Sequence, residues 1–146
     1  MKGKPKMKIL VPFDGSDASH NAVQYALNLA KTHSSYDITI LTVACNDAPF
    51  ARDFVANPIE VLNACQDFFR GSLNKAKALF EAEGIRVNTV LKSGDAAEVI
   101  INLVKEQGID KVIMGRRGLS GLTGWVLGSV SAKVVANVDV PVTLVK

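Results

Sequence analysis

The chain has little from which to build a metal site or a covalent catalyst. It holds two cysteines and two histidines in 146 residues. Cys45 and Cys65 do not form a C-x-x-C pair, and His20 and His33 are too few to complete a zinc set. Both cysteines read as buried apolar residues. No G-x-S-x-G surrounds a serine, so no hydrolytic triad is expected. The phosphate loops with fixed spelling are missing too. No lysine precedes Ser129 as a Walker A loop requires, and no G-x-G-x-x-G is present. No apolar run reaches membrane-spanning length. The opening MKGKPKMK lacks the apolar core of a secretory signal, so a cytoplasmic location is expected. There is no internal repeat or low-complexity tract.

Charge excludes less than the total suggests. The net value of +3 arises largely from Lys2, Lys4, Lys6 and Lys8. Setting these four aside from the 17 basic residues leaves 13 against 14 acidic ones. Residues 1–7 therefore read as a solvated basic tail before a near-neutral domain, 8–146. Aromatic content is 6%, with no basic stripe interleaved with aromatics. Neither nucleic acid nor a membrane is the expected partner.

What is present is alternation. Apolar runs at Lys8–Phe13, Ile38–Ala44, Arg86–Leu91, Lys111–Met114 and Val140–Val145 read as strands. Helical spacing fills Asp17–Thr32 and Ile59–Glu83, the latter ending at Gly84. Asp95-x-x-Glu98 reads as a capping box for a helix that Gly108 ends, and Ser129–Asn137 reads as the last helix. Asp17 is the expected cap of the first helix. Residues 45–58, with Pro49 and Pro58, form one long irregular stretch of the kind that is often a functional lid or simply mobile. Strands alternating with helices make an α/β domain with a parallel sheet covered on both faces. In such sheets a ligand sits at the carboxyl ends of the strands, where strand order reverses.

The stretch Gly115–Ser131, GRRGLSGLTGWVLGSVS, lies at such an end. A strand, a glycine-rich loop and a helix start follow in order. Glycine permits close backbone approach, and a helix start offers unpaired N–H groups and partial positive charge. That combination suits a phosphate. Asp14, after the first strand, can accept from a ribose or hold Mg²⁺. Ser129 and Ser131 can cap the helix or bind phosphate oxygens, and Arg116 or Arg117 can reach a phosphate.

Gly115-x-x-Gly118, nine residues, then Gly128-Ser129 resembles the G-2x-G-9x-G-[S/T] signature of ATP-binding universal stress proteins. The opening KILVPFDGSDAS, the turn at Ser93-Gly94-Asp95 and the closing VDVPVTLVK extend the likeness over nearly the whole chain. The family loop usually reads G-S-H-G-R-S-G. Here it is Gly115-Arg116-Arg117-Gly118-Leu119-Ser120-Gly121, which keeps the glycine cradle and changes its side chains. The resemblance implies a doubly wound open sheet of five strands in the order 3-2-1-4-5. It also implies adenine-nucleotide binding (ATP, or AMP or ADP, with Mg²⁺ at Asp14) by a stress-response regulator. The candidate contacts are Pro12, Asp14, Val43, Met114, Gly115, Arg117, Gly118, Gly128, Ser129, Val130 and Ser131. At Val43 the implied contact is backbone to adenine.

Other readings compete. A pyrophosphatase loop wants S-G-G-x-D-S, and Phe13-Asp14-Gly15-Ser16-Asp17-Ala18 lacks its second glycine and last serine. A phosphoacceptor receiver wants an acidic residue ending strand three, where Ser93-Gly94 stands. A nucleotide-free family member acting through protein contacts, and a slow ATP hydrolase, are the remaining alternatives. No residue reads as a placed general base, so turnover far below about 10 s⁻¹ is expected. The edge strand 140–145 is apolar and predicts a two-fold homodimer. The regulatory protein partner is unspecified.

Overall fold

The computed structural model describes residues 6–44, 58–117 and 127–146. The tail before residue 6, most of the irregular stretch after Ala44, and Gly118 lie outside the described residues. The elements are β1 (Met7–Pro12), α1 (Asp17–Thr32), β2 (Tyr36–Val43), α2 (Pro58–Glu81), β3 (Asn88–Lys92), α3 (Ala96–Glu106), β4 (Lys111–Gly115), α4 (Ser129–Asn137) and β5 (Val142–Val145). All strand pairs are parallel, and the sheet order is β3-β2-β1-β4-β5.

Both faces of the sheet are covered, which is why its strands read as unbroken apolar runs. Ile9, Val11, Ile38, Ile40 and Ile113 pack beneath α1 and α2. Leu10, Leu41, Val112 and Met114 pack beneath α3 and α4. Neighbours along β1 and β4 thus divide between the two cores by the two-residue period of a strand. Phe80 of α2 is fully buried, a contribution of roughly 1.5–3 kcal/mol.

The end of α2 is set by Gly84 at φ 69°, a left-handed turn that glycine adopts freely. Ile85 N–H then reaches back to the Phe80 carbonyl at 2.9 Å and closes the helix. The start of α2 is different. Its first fully buried side chain is Leu73, so the preceding turns overhang the core. That overhang corrects the expectation of a buried apolar cysteine. Cys65 is half-buried and disulfide-bonded. Cys45 lies outside the described residues.

Candidate functional site

A crevice opens between β1 and β4, and Pro12 is its local cause. The N–H groups of Met7 and Phe13 donate toward the β2 side, to Ser35 and Leu41. The Lys8 carbonyl accepts from Asp110 on the β4 side. Backbone groups alternate along a strand, so Pro12 faces β4, and proline has no N–H to offer. Pairing of β1 with β4 stops at Leu10↔Val112, while pairing with β2 runs on to Pro12↔Leu41. Where the strands part lies a cleft of ≈ 190 Å³. Pro12, Leu41, Val43 and Met114 give it apolar walls, and Asp14 is the only carboxylate among its described lining residues.

Three helix starts reach this cleft, because parallel strands with helical crossovers place them all at one end of the sheet. Ser16 and Ser19 come from α1, Ala96 from α3, and Gly128 to Ser131 from α4. Two of the starts are closed by their own side chains. Ser16 caps α1 by accepting from Ser19 N–H, with Asp17 inside the first turn. Ser16, not Asp17, is therefore the cap. Asp95 caps α3, accepting from Glu98 N–H at 3.0 Å. The start of α4 is open. Its cap residue is Gly128, no side chain caps it among the described residues, and its first turn carries no acid. Gly128 N–H donates to the Arg116 carbonyl at 3.1 Å, and the first intrahelical bond runs from Ala132 N–H to the Gly128 carbonyl. The N–H groups of Ser129, Val130 and Ser131 have no acceptor within the helix. They carry the positive end of its dipole into the cleft.

The remaining parts are braced. Asp14 Oδ1 accepts from Ser16 N–H at 2.9 Å, a turn that fixes the carboxylate at the cleft wall. Ser19 Oγ accepts from Asp14 N–H at 3.4 Å and donates to the Ser16 carbonyl at 2.9 Å. Packing alone already requires a glycine at Gly115. A Cβ there would lie 2.9 Å from the Ala18 backbone and 3.0 Å from Ser19 N. Ser131 Oγ donates to the Gly115 carbonyl at 3.0 Å. Among the described residues no cluster of three His, Cys, Asp or Glu could hold a metal alone. A divalent ion here would share Asp14 with oxygens of a ligand, the usual arrangement for Mg²⁺.

The model of the Universal stress protein family matches residues 6–146. The chain belongs to that family. Universal stress protein YxiE of Bacillus subtilis is 33% identical over 147 residues, covering 95% of this chain and 98% of its own. The solved structure of MJ0577 from Methanocaldococcus jannaschii has a TM-score of 0.84 at 26% identity, covering 96% of this chain and 95% of its own. A universal stress protein solved in complex with cAMP has a TM-score of 0.64 at 26% identity, covering 97% and 98%.

In this universal stress protein the candidate residues come together. Pro12, Asp14, Val43, Met114, Gly115, Arg117, Gly128, Ser129, Val130 and Ser131 all line the one cleft. Of the two arginines it is Arg117 that lines it. Phe13, Ser16, Ser19, Leu41 and Ala96 line it too and were not anticipated. Leu41 and Phe13 look like ordinary core residues, and Ser16, Ser19 and Ala96 like ordinary helix starts. The available signal was topological, since every helix start at the carboxyl edge is a neighbour of the crevice.

Proposed function

We propose that this universal stress protein binds an adenine nucleotide, ATP with Mg²⁺, in the cleft between β1 and β4. The observation that carries this reading is the open start of α4 facing a cleft with apolar walls and a single carboxylate. Three N–H donors suit phosphate oxygens, Asp14 suits a ribose hydroxyl or the metal, and the apolar walls suit a base. The relative in complex with cAMP supports the adenine assignment. Among the described residues no helix is long and apolar enough to cross a membrane. The protein then works as a cytoplasmic, nucleotide-dependent switch or scaffold for a protein partner, hydrolysing ATP slowly if at all.

Scanning calorimetry with ATP and Mg²⁺ against GTP tests the reading. Ligand at ~100 times its Kd adds about 2.7 kcal/mol to stability. For a domain of this size the midpoint then rises on the order of 5–10 °C. Mass spectrometry of ligand released from the purified protein identifies the nucleotide. No response to any adenine nucleotide overturns the proposal, and steady-state hydrolysis near 10 s⁻¹ overturns its regulatory part.

The same reading includes a homodimer through residues 140–145. Among the described residues β5 is an edge strand, paired only with β4. The Pro141 and Val145 carbonyls accept from β4, so by alternation the backbone groups of Val142 and Leu144 face outward. Pro141 precedes the strand, where a missing donor does no harm. The side chains of Val142 and Leu144 pack on the core, so the joint would be made by backbone pairing. Light scattering tests it, and a monomer at micromolar concentration counts against it.

A further inference from the structure

We infer that the Ser131 side chain is a positioning group, not a phosphate ligand; the inference rests on the nucleotide reading of the same cleft. Ser131 lines the cleft and is only 3% exposed. Its Oγ lies 3.0 Å from the Gly115 carbonyl oxygen. A carbonyl cannot donate, so the single hydroxyl proton occupies this bond. What Oγ still offers the cleft is lone pairs, which repel a phosphate oxygen. The donors left to a phosphate at this point are backbone N–H groups, and the side chain decides where they aim.

The anchor it grips is rigid. Gly115 ends β4 and packs so closely on the first turn of α1 that a Cβ would stand 2.9 Å from Ala18. Ser131 therefore draws the start of α4 onto a fixed point. A second bond, Gly128 N–H to the Arg116 carbonyl at 3.1 Å, holds the same junction three residues earlier in the helix. The two bonds tie adjacent carbonyls at the end of β4 to the cap and the third residue of α4. Between the tied residues stand Ser129 and Val130, whose N–H groups are presented to the cleft. Ser19 does the matching task on the opposite wall, donating to the Ser16 carbonyl and accepting from Asp14 N–H.

The test combines amide hydrogen exchange on the nucleotide-free protein with calorimetric titration by ATP·Mg²⁺ and by adenosine. For Ser131→Ala, exchange at Gly128 and Ala132, whose N–H groups are the bonded ones at this junction, should quicken before any ligand is added. ATP affinity should fall by about three- to tenfold, the effect of one lost hydrogen bond, while adenosine affinity holds. Ser131→Thr, which keeps the hydroxyl, should restore both, and Ser129→Ala should leave the ligand-free exchange unchanged. Weaker ATP binding with unaltered ligand-free exchange would make Ser131 a direct ligand and overturn the inference. Faster exchange with unaltered ATP affinity would make it purely structural and overturn it equally. If Ser131→Ala does not fold, Ser131→Cys, a weaker donor, takes its place under the same criteria. A wild-type protein that ignores every adenine nucleotide removes the nucleotide reading and this inference with it. A wild-type protein that binds, with the variants behaving otherwise than stated, removes only the inference.

Discussion

Helices α3 and α4 pack against each other and begin at the same cleft, yet their first residues are chosen oppositely. α3 begins with Asp95, whose carboxylate occupies the Glu98 N–H. α4 begins with Gly128, which brings no side chain. A capping carboxylate is in effect an anion carried by the chain itself. Where the chain supplies its own, the helix gains stability and the cleft loses a binding point. Where it withholds one, the helix is less stable alone and, on the proposed reading, an external anion completes it. The contrast separates a structural helix start from a functional one more clearly than burial or charge does.

The comparison can be broken most severely by making α4 resemble α3. Gly128→Asp should raise the stability of the ligand-free protein by a few tenths to about 1 kcal/mol through capping. It should weaken ATP binding at least about a hundredfold, since two like charges about 4 Å apart repel by about 4 kcal/mol at an effective dielectric of 20. Isothermal titration and thermal melts read both effects, and a gain in stability without loss of binding would refute the contrast. Gly115→Ala attacks the frame the two starts share. With Ala18 backbone 2.9 Å from the new Cβ, α1 must shift, at roughly 1–3 kcal/mol of stability. Denaturant melts should show the loss, and an unchanged midpoint would mean that the corner yields more easily than its contacts imply. Asp95→Ala sharpens the comparison from the other side. It should cost about 1 kcal/mol of stability and leave ATP affinity no weaker, because Asp95 is not among the described residues that line the cleft. Lys133→Ala removes the exposed pair with Asp95 at 3.9 Å. The same melts should move by about half a kcal/mol or less.

Legibility followed the physics of each feature. The spans of α1 and α4 could be read residue for residue, because helical spacing and small polar starts coincide there. The parallel sheet followed from alternation, but its order came from the family resemblance, since spacing carries no information about which strands are neighbours. The cap of α1 was misplaced by one residue because Ser16 and Asp17 are equally good caps, and only phase distinguishes them. Gly115 was read only as a ligand contact, and the packing demand on it was missed. A glycine demanded by packing looks the same in sequence as one demanded by a ligand. The proton of Ser131 could not be foreseen either, since its acceptor is a backbone carbonyl sixteen positions away. Cys65 failed because a lone cysteine carries no sign of whether the helix beneath it is covered.

The register of β1 has a kinetic consequence. Its residues pair on one side with Tyr36 to Leu41 and on the other with Lys111 and Val112, about a hundred positions along the chain. The cleft further requires Ser131, still later. Contacts of such separation form late and slowly in folding. Nothing that recognises the finished cleft can then assist the chain before its transition state is passed. A nucleotide should leave the refolding rate unchanged and lower the unfolding rate, so its whole contribution is to the lifetime of the native state. For a chain emerging from the ribosome, the cleft takes shape only after Ser131 has been synthesised.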